Sequence, residues 1–498
     1  MNGNPTNRKR MKLDRFKILS QDEIELIHES SLRLLSEVGM IVHSGKTLIL
    51  LKKNGVEVDF GKKLVKFPVN IVEEALRYIP QKIVLYNREK EPTVTLGEGK
   101  SYLINGHNAP YVLDLETGEH RKAFKKDAED FARLVDTLDS FYVTAPQVMP
   151  QDVLPQASLL YAVQAILSNT QKPLYFSPEG IDVAEPIFDM AKVVMGKSDL
   201  SKFPILICQL SPTSPLIWEA GPVEALVEAA TLGIPCSILS MPLPGVTAPS
   251  TLASTLTMCN AEVLSGLIIT QLVRKGTPVI YGSAWATFNM QKGRALEASP
   301  ETSILRIAGS QLADFYKIPY HTTLHSDSHC LSEQISWEKS ITLFAALGAG
   351  ADLIVNAGIL STGLTVSFAQ IVLDNEILGI LSRIIQGIKV SCKDIAIEVI
   401  KKVKEKGGRG DFLTEEHTLH HLRRGEFCEP LVSIRSSYEE WERKGGLDVV
   451  ENAREKAKEI LRMCRPSQLE AGIQEELSMI IEDFEERVQN HVEVRERS

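Results

Sequence analysis

Between residues 101 and 356 the chain repeats one unit: a short run of β-branched or aromatic residues followed by a longer stretch with helical spacing. The runs are SYLIN from 101, YVTAP from 142, LYFS from 174, ILICQL from 205, PCSILS from 235, PVIYG from 278, PYHTTL from 319 and DLIVN from 352, eight in all. Strands that alternate with helices imply right-handed crossovers between parallel neighbours. Near-continuous apolar strands belong in a sheet buried on both faces. Eight such units suit a closed (β/α)8 TIM barrel better than an open sheet. In such a barrel the carboxyl ends of the strands converge on one rim, where the active site is expected. The segments that follow the runs, among them CQLSPTSPLIW, SMPLPGVTAPST, GSAWATFNM, HTTLHSDSH and NAGILSTG, are rich in Pro, Gly, Ser, His and aromatic residues and should build that mouth together.

The 498 residues exceed what the barrel uses. Residues 1–100 read as an N-terminal α+β cap. Ser20 as N-cap with Glu23 at the capping-box position opens a helix that ends at Gly39, and a strand-like LVKFP precedes a helix over 69–78. Residues 101–388 form the α/β barrel. Residues 389–498 turn highly charged, with amphipathic stretches at 439–463 and 470–492, and read as a helical extension that suits subunit contacts; a homo-oligomer is expected.

Lys and Arg number 55 against 64 Asp and Glu, a net charge of −9 that offers no general attraction to a polyphosphate backbone, so no nucleic-acid partner is expected. Apolar runs such as ADLIVNAGIL are interrupted well short of the ~20 residues a membrane span needs, so no membrane partner is expected either. The opening residues lack the continuous apolar stretch of a secretory signal, and a cytoplasmic location is expected. Seven cysteines, odd in number and scattered from 208 to 464, fit reduced thiols rather than a disulfide framework. The sequence holds no Walker loop, no GxGxxG after the first strand, no GxSxG elbow and no HExxH, so nucleotide, esterase and zincin chemistries lack their signatures.

Three sets of rim residues carry possible chemistry. His321, His325, His329 and Cys330 form the tightest cluster of potential metal ligands. Spacing of four aligns histidines on a helix, yet PYHTTLHSDSH closes a strand, so a zinc site and substrate-contact histidines both stay open. Tyr175, Phe176, Trp218, Trp285 and Phe288, with Phe368 after the last strand, offer either core packing or an aromatic cage for a quaternary ammonium ion. Glu179, Glu219, Asp327, Asp374 and Glu376 are either counter-charges to a cation or helix caps.

A further set of motifs runs through nearly the whole chain: LDLETGEHRKAFKKD (113–127), MPLPGVTAPSTL (241–252), AEVLSG (261–266), SPE (299–301), SDS (326–328), VLDNE (372–376), HTLHH (417–421) and SSYEEWERKGGLD (436–448). In this order and spacing they resemble the trimethylamine methyltransferase superfamily. The resemblance implies a (β/α)8 barrel that passes a methyl group from a methylated amine to a corrinoid protein, in one-carbon metabolism of the kind that feeds methanogenesis. The trimethylamine enzymes of that family carry pyrrolysine, whereas this chain has only standard residues, and after SDS it reads His329 to Gln334 where the family usually has Lys, then Pro-Asp before Gln. The resemblance thus points to the non-pyrrolysine branch, with glycine betaine or a related betaine as methyl donor. The acceptor would be the Co(I) corrinoid, cob(I)alamin, of a partner protein. No cofactor is expected to be permanently bound, because the chain has no Asp-x-His-x-x-Gly cobalamin motif. A quaternary nitrogen leaves as a neutral tertiary amine, so no general acid is demanded. On this reading Asp327, His329 and Glu376 are the catalytic candidates, Trp218, Trp285, Phe288, Phe368 and His325 bind the substrate, and no metal is held. The alternatives are a zinc-dependent methyltransferase on a related barrel and a non-catalytic betaine-binding barrel.

Overall fold

The computed structural model describes residues 15–106, 108–196, 198–405, 411–465 and 469–496. Each of the eight runs is a strand: β1 (Tyr102–Asn105), β2 (Phe141–Val143), β3 (Leu174–Phe176), β4 (Leu206–Leu210), β5 (Cys236–Ser240), β6 (Val279–Ser283), β7 (Tyr320–Thr323) and β8 (Leu353–Ala357). They pair in parallel, each with the next in sequence, and β8 returns to β1. Closure between β2 and β3 runs through Thr144, whose N–H donates to the Pro173 carbonyl at 2.9 Å and whose carbonyl accepts from Tyr175 at 2.8 Å. A helix follows each strand: α1 (Lys125–Thr137), α2 (Ser158–Asn169), α3 (Ile181–Val194), α4 (Ala220–Leu232), α5 (Leu252–Val273), α6 (Pro300–Tyr316), α7 (Glu333–Ala349) and α8 (Phe368–Gln386). This is the (β/α)8 barrel the repeat predicts.

Strand alternation sorts the side chains into two cores. Leu103, Phe141, Phe176, Cys208, Ile238, Tyr281 and Ile354 face outward against the helices, while Ile104, Val143, Tyr175, Ile207, Ile280 and Val355 fill the lumen. The lumen core continues into an antiparallel hairpin, Ile83–Tyr86 with Pro92–Leu96, whose Ile83, Leu85, Val94 and Leu96 pack beneath the barrel. Hydrogen bonds tie this hairpin to the amino ends of the strands: Tyr86 N–H to the Pro204 carbonyl at 3.0 Å, and Gly97 N–H to the Asp352 carboxylate at 2.7 Å. The barrel is therefore capped at its amino end, and the carboxyl end is the mouth.

The remaining N-terminal elements lie outside α5 and α6. The expected capping box is present: Ser20 accepts from Glu23 and Glu23 reaches back to the Ser20 N–H, opening the helix Gln21–Arg33. Helices Gln21–Arg33 and Val69–Tyr78 both pack on α5. That burial explains why the 22-residue α5 is apolar around its whole circumference: it is covered by strands on one side and by helices on the other. A small sheet joins Met40–Val42, Leu64–Lys66 and Glu57–Asp59 to Ile217–Trp218 from the loop after β4.

On the opposite flank, helix Val449–Met463 packs against α8 and α1, and helix Ala471–Glu496 against α2 and α3. The charged stretches are more broken than their amphipathic spacing suggests. Stretch 439–463 is split by Gly445 and Gly446, both at positive φ, into Tyr438–Arg443 and Val449–Met463. Cys392–Ile395 and Ile397–Glu405 are parted by Ala396 at φ 54°.

Candidate active site

Below the mouth the apolar lumen gives way to a polar layer. Tyr175 on β3, Gln209 on β4, Ser237 on β5 and His321 on β7 all point inward and are at most 2% exposed. Ser237 Oγ lies 2.9 Å from His321 Nδ1, and the Tyr175 hydroxyl lies 3.3 Å from Gln209 Oε1 and 3.5 Å from His321 Nε2. The Gln209 amide donates onward to Ser211 Oγ at 2.7 Å. Burial pushes the Tyr175 phenol well above its ordinary value, which keeps its proton on the oxygen. Beside this floor, Asn105 at the end of β1 accepts from the Ala145 N–H at 2.8 Å and donates to Gln147 Oε1 at 2.9 Å. Gln147 in turn donates to the Ala357 carbonyl at 3.1 Å, so amide side chains clasp the ends of β1, β2 and β8.

The rim above is held by charged and polar groups drawn from the regions after three strands, β6, β7 and β8. His325, after β7, contacts the Glu297 carboxylate through Nδ1 in an ion-pair geometry, and its Nε2 lies 2.9 Å from the Asn356 amide nitrogen. The ring is thus set between a carboxylate on one side and an amide on the other. Glu297 stands between the hairpin Thr287–Asn289/Arg294–Leu296 and α6. Burial alone would raise its carboxyl, but the imidazole of His325 and the cations of Arg306 and Lys339 outweigh that and hold it below the usual carboxylate range. Arg306 on α6 is fully buried and donates to the Thr323 carbonyl at 2.9 Å and the Glu297 carbonyl at 3.1 Å. Desolvation lowers its guanidinium to about 10, which still leaves it charged at neutral pH.

Asn356 sits at φ 81°, a left-handed conformation that Asn tolerates better than most residues. This turns its carbonyl toward Lys339 Nζ at 3.0 Å and leaves its side chain for His325. Lys339 and Asp374, both 0% exposed, form an ion pair at 3.3 Å behind the turn, and Asp374 also accepts from the Gly358 N–H at 2.7 Å and from Gln370 at 2.8 Å. Burial lowers the Lys339 ammonium, and Asp374 works in the opposite direction.

The residues singled out from sequence divide between the rim and the outer layers. Asp327 is at the rim, accepting from the Glu297 N–H at 2.9 Å, the Ala298 N–H at 3.2 Å and Thr362 Oγ1 at 3.2 Å; it buckles the hairpin carrying Glu297 to the loop after β8. His325 is at the centre of the charged chain. His329 is exposed and lies 3.0 Å from Ser361 Oγ, and Cys330 beside it is also exposed. Phe288 is half-buried on the hairpin. Trp285 is fully buried with its indole N–H 3.4 Å from the outward-facing Tyr320 hydroxyl.

Three candidates lie away from the mouth. The Trp218 indole donates to Ser265 on α5 at 2.8 Å and lies over Gly266, where an added Cβ would come within 2.8 Å of the ring. Phe368 stacks on Phe131 between α8 and α1, with centroids 3.8 Å apart. Glu376 on α8 accepts from the N–H groups of Leu431 at 2.7 Å and Ser433 at 3.3 Å, anchoring the C-terminal segment. Trp218 and Phe368 thus lie in outer layers, apart from Trp285 and Phe288 in the segment after β6, so the four do not make one cage. His321, His325 and His329 likewise point to separate partners, and among the described residues no three His, Cys, Asp or Glu side chains converge as metal ligands.

Glu297, Asn356, Gln209, Ser237, Arg306 and Lys339 are site residues the sequence reading did not single out. The available signal was a lone charge inside an otherwise apolar helical stretch, as with Arg306 in SILRIAGS.

The family profile described as trimethylamine methyltransferase (MTTB) matches residues 3–489. The chain is 34% identical over 469 residues to "Trimethylamine methyltransferase MttB" of Desulfitobacterium hafniense strain DSM 10664 / DCB-2, covering 94% of each chain. It is 31% identical over 473 residues to "Glycine betaine methyltransferase" of Desulfitobacterium hafniense strain Y51, covering 94% of this chain and 97% of that one. Among solved structures it aligns with the Methanosarcina barkeri monomethylamine methyltransferase MtmB at 10% identity and a TM-score of 0.49, over 88% of this chain and 92% of that one.

Proposed function

Since the chain belongs to the trimethylamine methyltransferase (MTTB) family and is a methyltransferase on that ground, we propose that its methyl donor is a quaternary amine of the glycine betaine class and its acceptor a Co(I) corrinoid carried by a separate protein. The observation that carries the reading is the rim itself: Glu297 is held as an anion beside His325, on a hairpin end that Asp327 fixes through its backbone N–H. Such a rim can place and electrostatically favour a cation. It has little to offer a reaction that needs a proton delivered to its leaving group. A quaternary ammonium needs none, because the C–N bonding pair stays on nitrogen and the departing amine is neutral. The corrinoid supplies the nucleophile that takes the methyl carbon.

The chain's own residues would do the positioning. The ammonium end of the donor lies at the rim beside Glu297 and His325, with Asp327 fixing the hairpin on which Glu297 is carried. The carboxylate end points into the lumen toward the hydroxyl and amide groups of Tyr175, Gln209 and Ser237. Holding the methyl carbon in line with an incoming nucleophile is the main catalytic contribution, and alignment of this kind supplies ~7–11 kcal/mol in well-oriented reactions. The amino-end cap supports approach of the acceptor from the mouth. The exclusively standard residues of the chain and its similarity to a glycine betaine methyltransferase both support the choice of donor.

The test is a donor panel with free cob(I)alamin, reading conversion to methylcobalamin from its absorption spectrum. Glycine betaine or a related betaine is expected to react and trimethylamine is not. Reaction with a tertiary amine alone would overturn the donor assignment, and binding of betaine without any methyl transfer would favour a binding protein.

A further inference from the structure

Glu262 lies midway along the apolar helix α5, within the AEVLSG motif, and is 0% exposed. A carboxyl group is costly to bury without partners. This one accepts three hydrogen bonds, and all come from segments at the mouth: the Ser214 hydroxyl at 2.7 Å and the Leu216 N–H at 2.8 Å from the loop after β4, and the hydroxyl of Ser240, which closes β5. A side chain outside the barrel therefore ties the carboxyl ends of two neighbouring strands together. The loop it holds is strained. Leu216 sits at φ 57°, a left-handed conformation that costs any residue with a Cβ. Thr213 and Ile217 close the turn by exchanging N–H···O bonds at 2.8 and 3.0 Å, and the Leu216 carbonyl accepts from the Ile41 N–H at 2.9 Å. Leu216 is thus gripped from both sides, by α5 through its N–H and by the Met40–Val42 strand through its carbonyl. Strain of this kind persists only where the surroundings over-determine it.

At its other end the loop begins with Ser211, whose Oγ takes the Gln209 amide at 2.7 Å. With the amide nitrogen given to Ser211, Gln209 Oε1 is the atom turned to the Tyr175 hydroxyl, 3.3 Å away. We infer that Glu262 is a positioning residue: by clamping the loop after β4 between α5 and the Met40–Val42 strand it fixes Ser211, and through Ser211 the Gln209 amide that meets the donor's carboxylate in the floor of the site. The last link rests on the proposed orientation of the betaine. A carboxylate suits the task because two oxygens without a proton take all three donors at once, whereas an amide offers a single accepting oxygen. With the Leu216 N–H on that oxygen, the amide nitrogen would face the two serine hydroxyls, which can turn to accept, so glutamine keeps the clamp in weaker form. A hydrocarbon side chain leaves the Leu216 N–H buried without an acceptor and the strained turn held from one side only.

Gln209 meets the donor in the ground state and the transition state alike, so losing its orientation acts on KM more than on kcat. In methyl transfer from glycine betaine to cob(I)alamin, Glu262→Met should raise KM about tenfold and leave kcat within about threefold. A loss of folded protein alone would do the reverse, lowering the apparent kcat at constant KM. Glu262→Gln should bring KM back to within about threefold of wild type, since the Leu216 N–H keeps its acceptor. In a Gln209→Ala background Glu262→Met should add less than about twofold, because both changes act through one amide. Full additivity, or an unchanged KM in folded Glu262→Met, would overturn the proposal. Ser211→Ala leaves α5 untouched and should reproduce the rise in KM, which decides the matter should Glu262→Met fail to fold; an unchanged KM there counts equally against the clamp. Hydrogen exchange gives a reading independent of turnover: the Leu216 amide should exchange faster in Glu262→Gln than in wild type, and equal protection would again overturn the clamp. A wild type inert toward betaine and active on trimethylamine would overturn the donor assignment instead, with the Leu216 exchange still deciding on the clamp.

Discussion

Glu297, His325 and Asn356 meet at the rim although 28 and 31 residues separate them in the chain, taking 325 − 297 and 356 − 325. Two substitutions separate charge from geometry there. Glu297→Gln keeps the shape but removes the anion, so it should raise KM for a cationic donor more than it lowers kcat. Asn356→Ala frees His325 without changing any charge, so it should act mainly on kcat. An orientation loss of this kind costs about 10²-fold. Steady-state methyl transfer to cob(I)alamin measures both, and identical effects from the two changes would refute this division of roles. Behind the rim, Lys339→Met leaves Asp374 charged and buried beside a hydrocarbon, a loss of ~3–5 kcal/mol. Adding Asp374→Asn keeps an acceptor for the Gly358 N–H and should restore at least half of that loss in urea unfolding. Residue roles were the least legible part of the sequence. Asp327 and His325 could be picked out because polar residues cluster after a strand. Trp218 and Phe368 could not be distinguished from mouth residues, because one passes into a sheet with Met40–Val42 and the other packs on Phe131, contacts set by distant segments.

At the scale of elements the sequence is far more explicit. All eight barrel strands coincide with the β-branched runs, because a strand buried on both faces has no freedom to be polar. The hairpin below the barrel falls outside the strand–helix repeat, and its partners are the amino ends of strands far along the chain. Its latch is Asp352, which accepts from the Gly97 N–H at 2.7 Å and the Tyr320 N–H at 2.9 Å. Burial raises this carboxyl from its ordinary 3.8 to about 6. A folded-state value above the unfolded one means the native state binds more protons between pH 4 and 6. The contribution is therefore full below about pH 4 and is lost as pH rises through about 6, a difference on the order of 3 kcal/mol. Thermal unfolding compared between wild type and Asp352→Asn should show this slope in the first and not in the second. A parallel pH dependence in both would exclude Asp352 as its source.

For the molecule as a whole, the hairpin that caps the amino end leaves the carboxyl end of the barrel as the doorway by which, under the proposed reaction, donor and carrier both come to a chamber above the polar floor. Whatever enters first is enclosed by whatever docks second. Under the proposed reaction this imposes a queue: the betaine enters, the carrier closes the doorway, and the demethylated amine leaves only after the carrier has gone. The rate law should then be sequential rather than ping-pong, and carrier in excess should inhibit by standing in the doorway of an empty chamber. Initial rates over a grid of donor and carrier concentrations decide this, with parallel double-reciprocal lines as the contrary result. The hairpin of Ile83–Leu96, remote from every reacting atom, would in this way set the order in which the substrates take their turn.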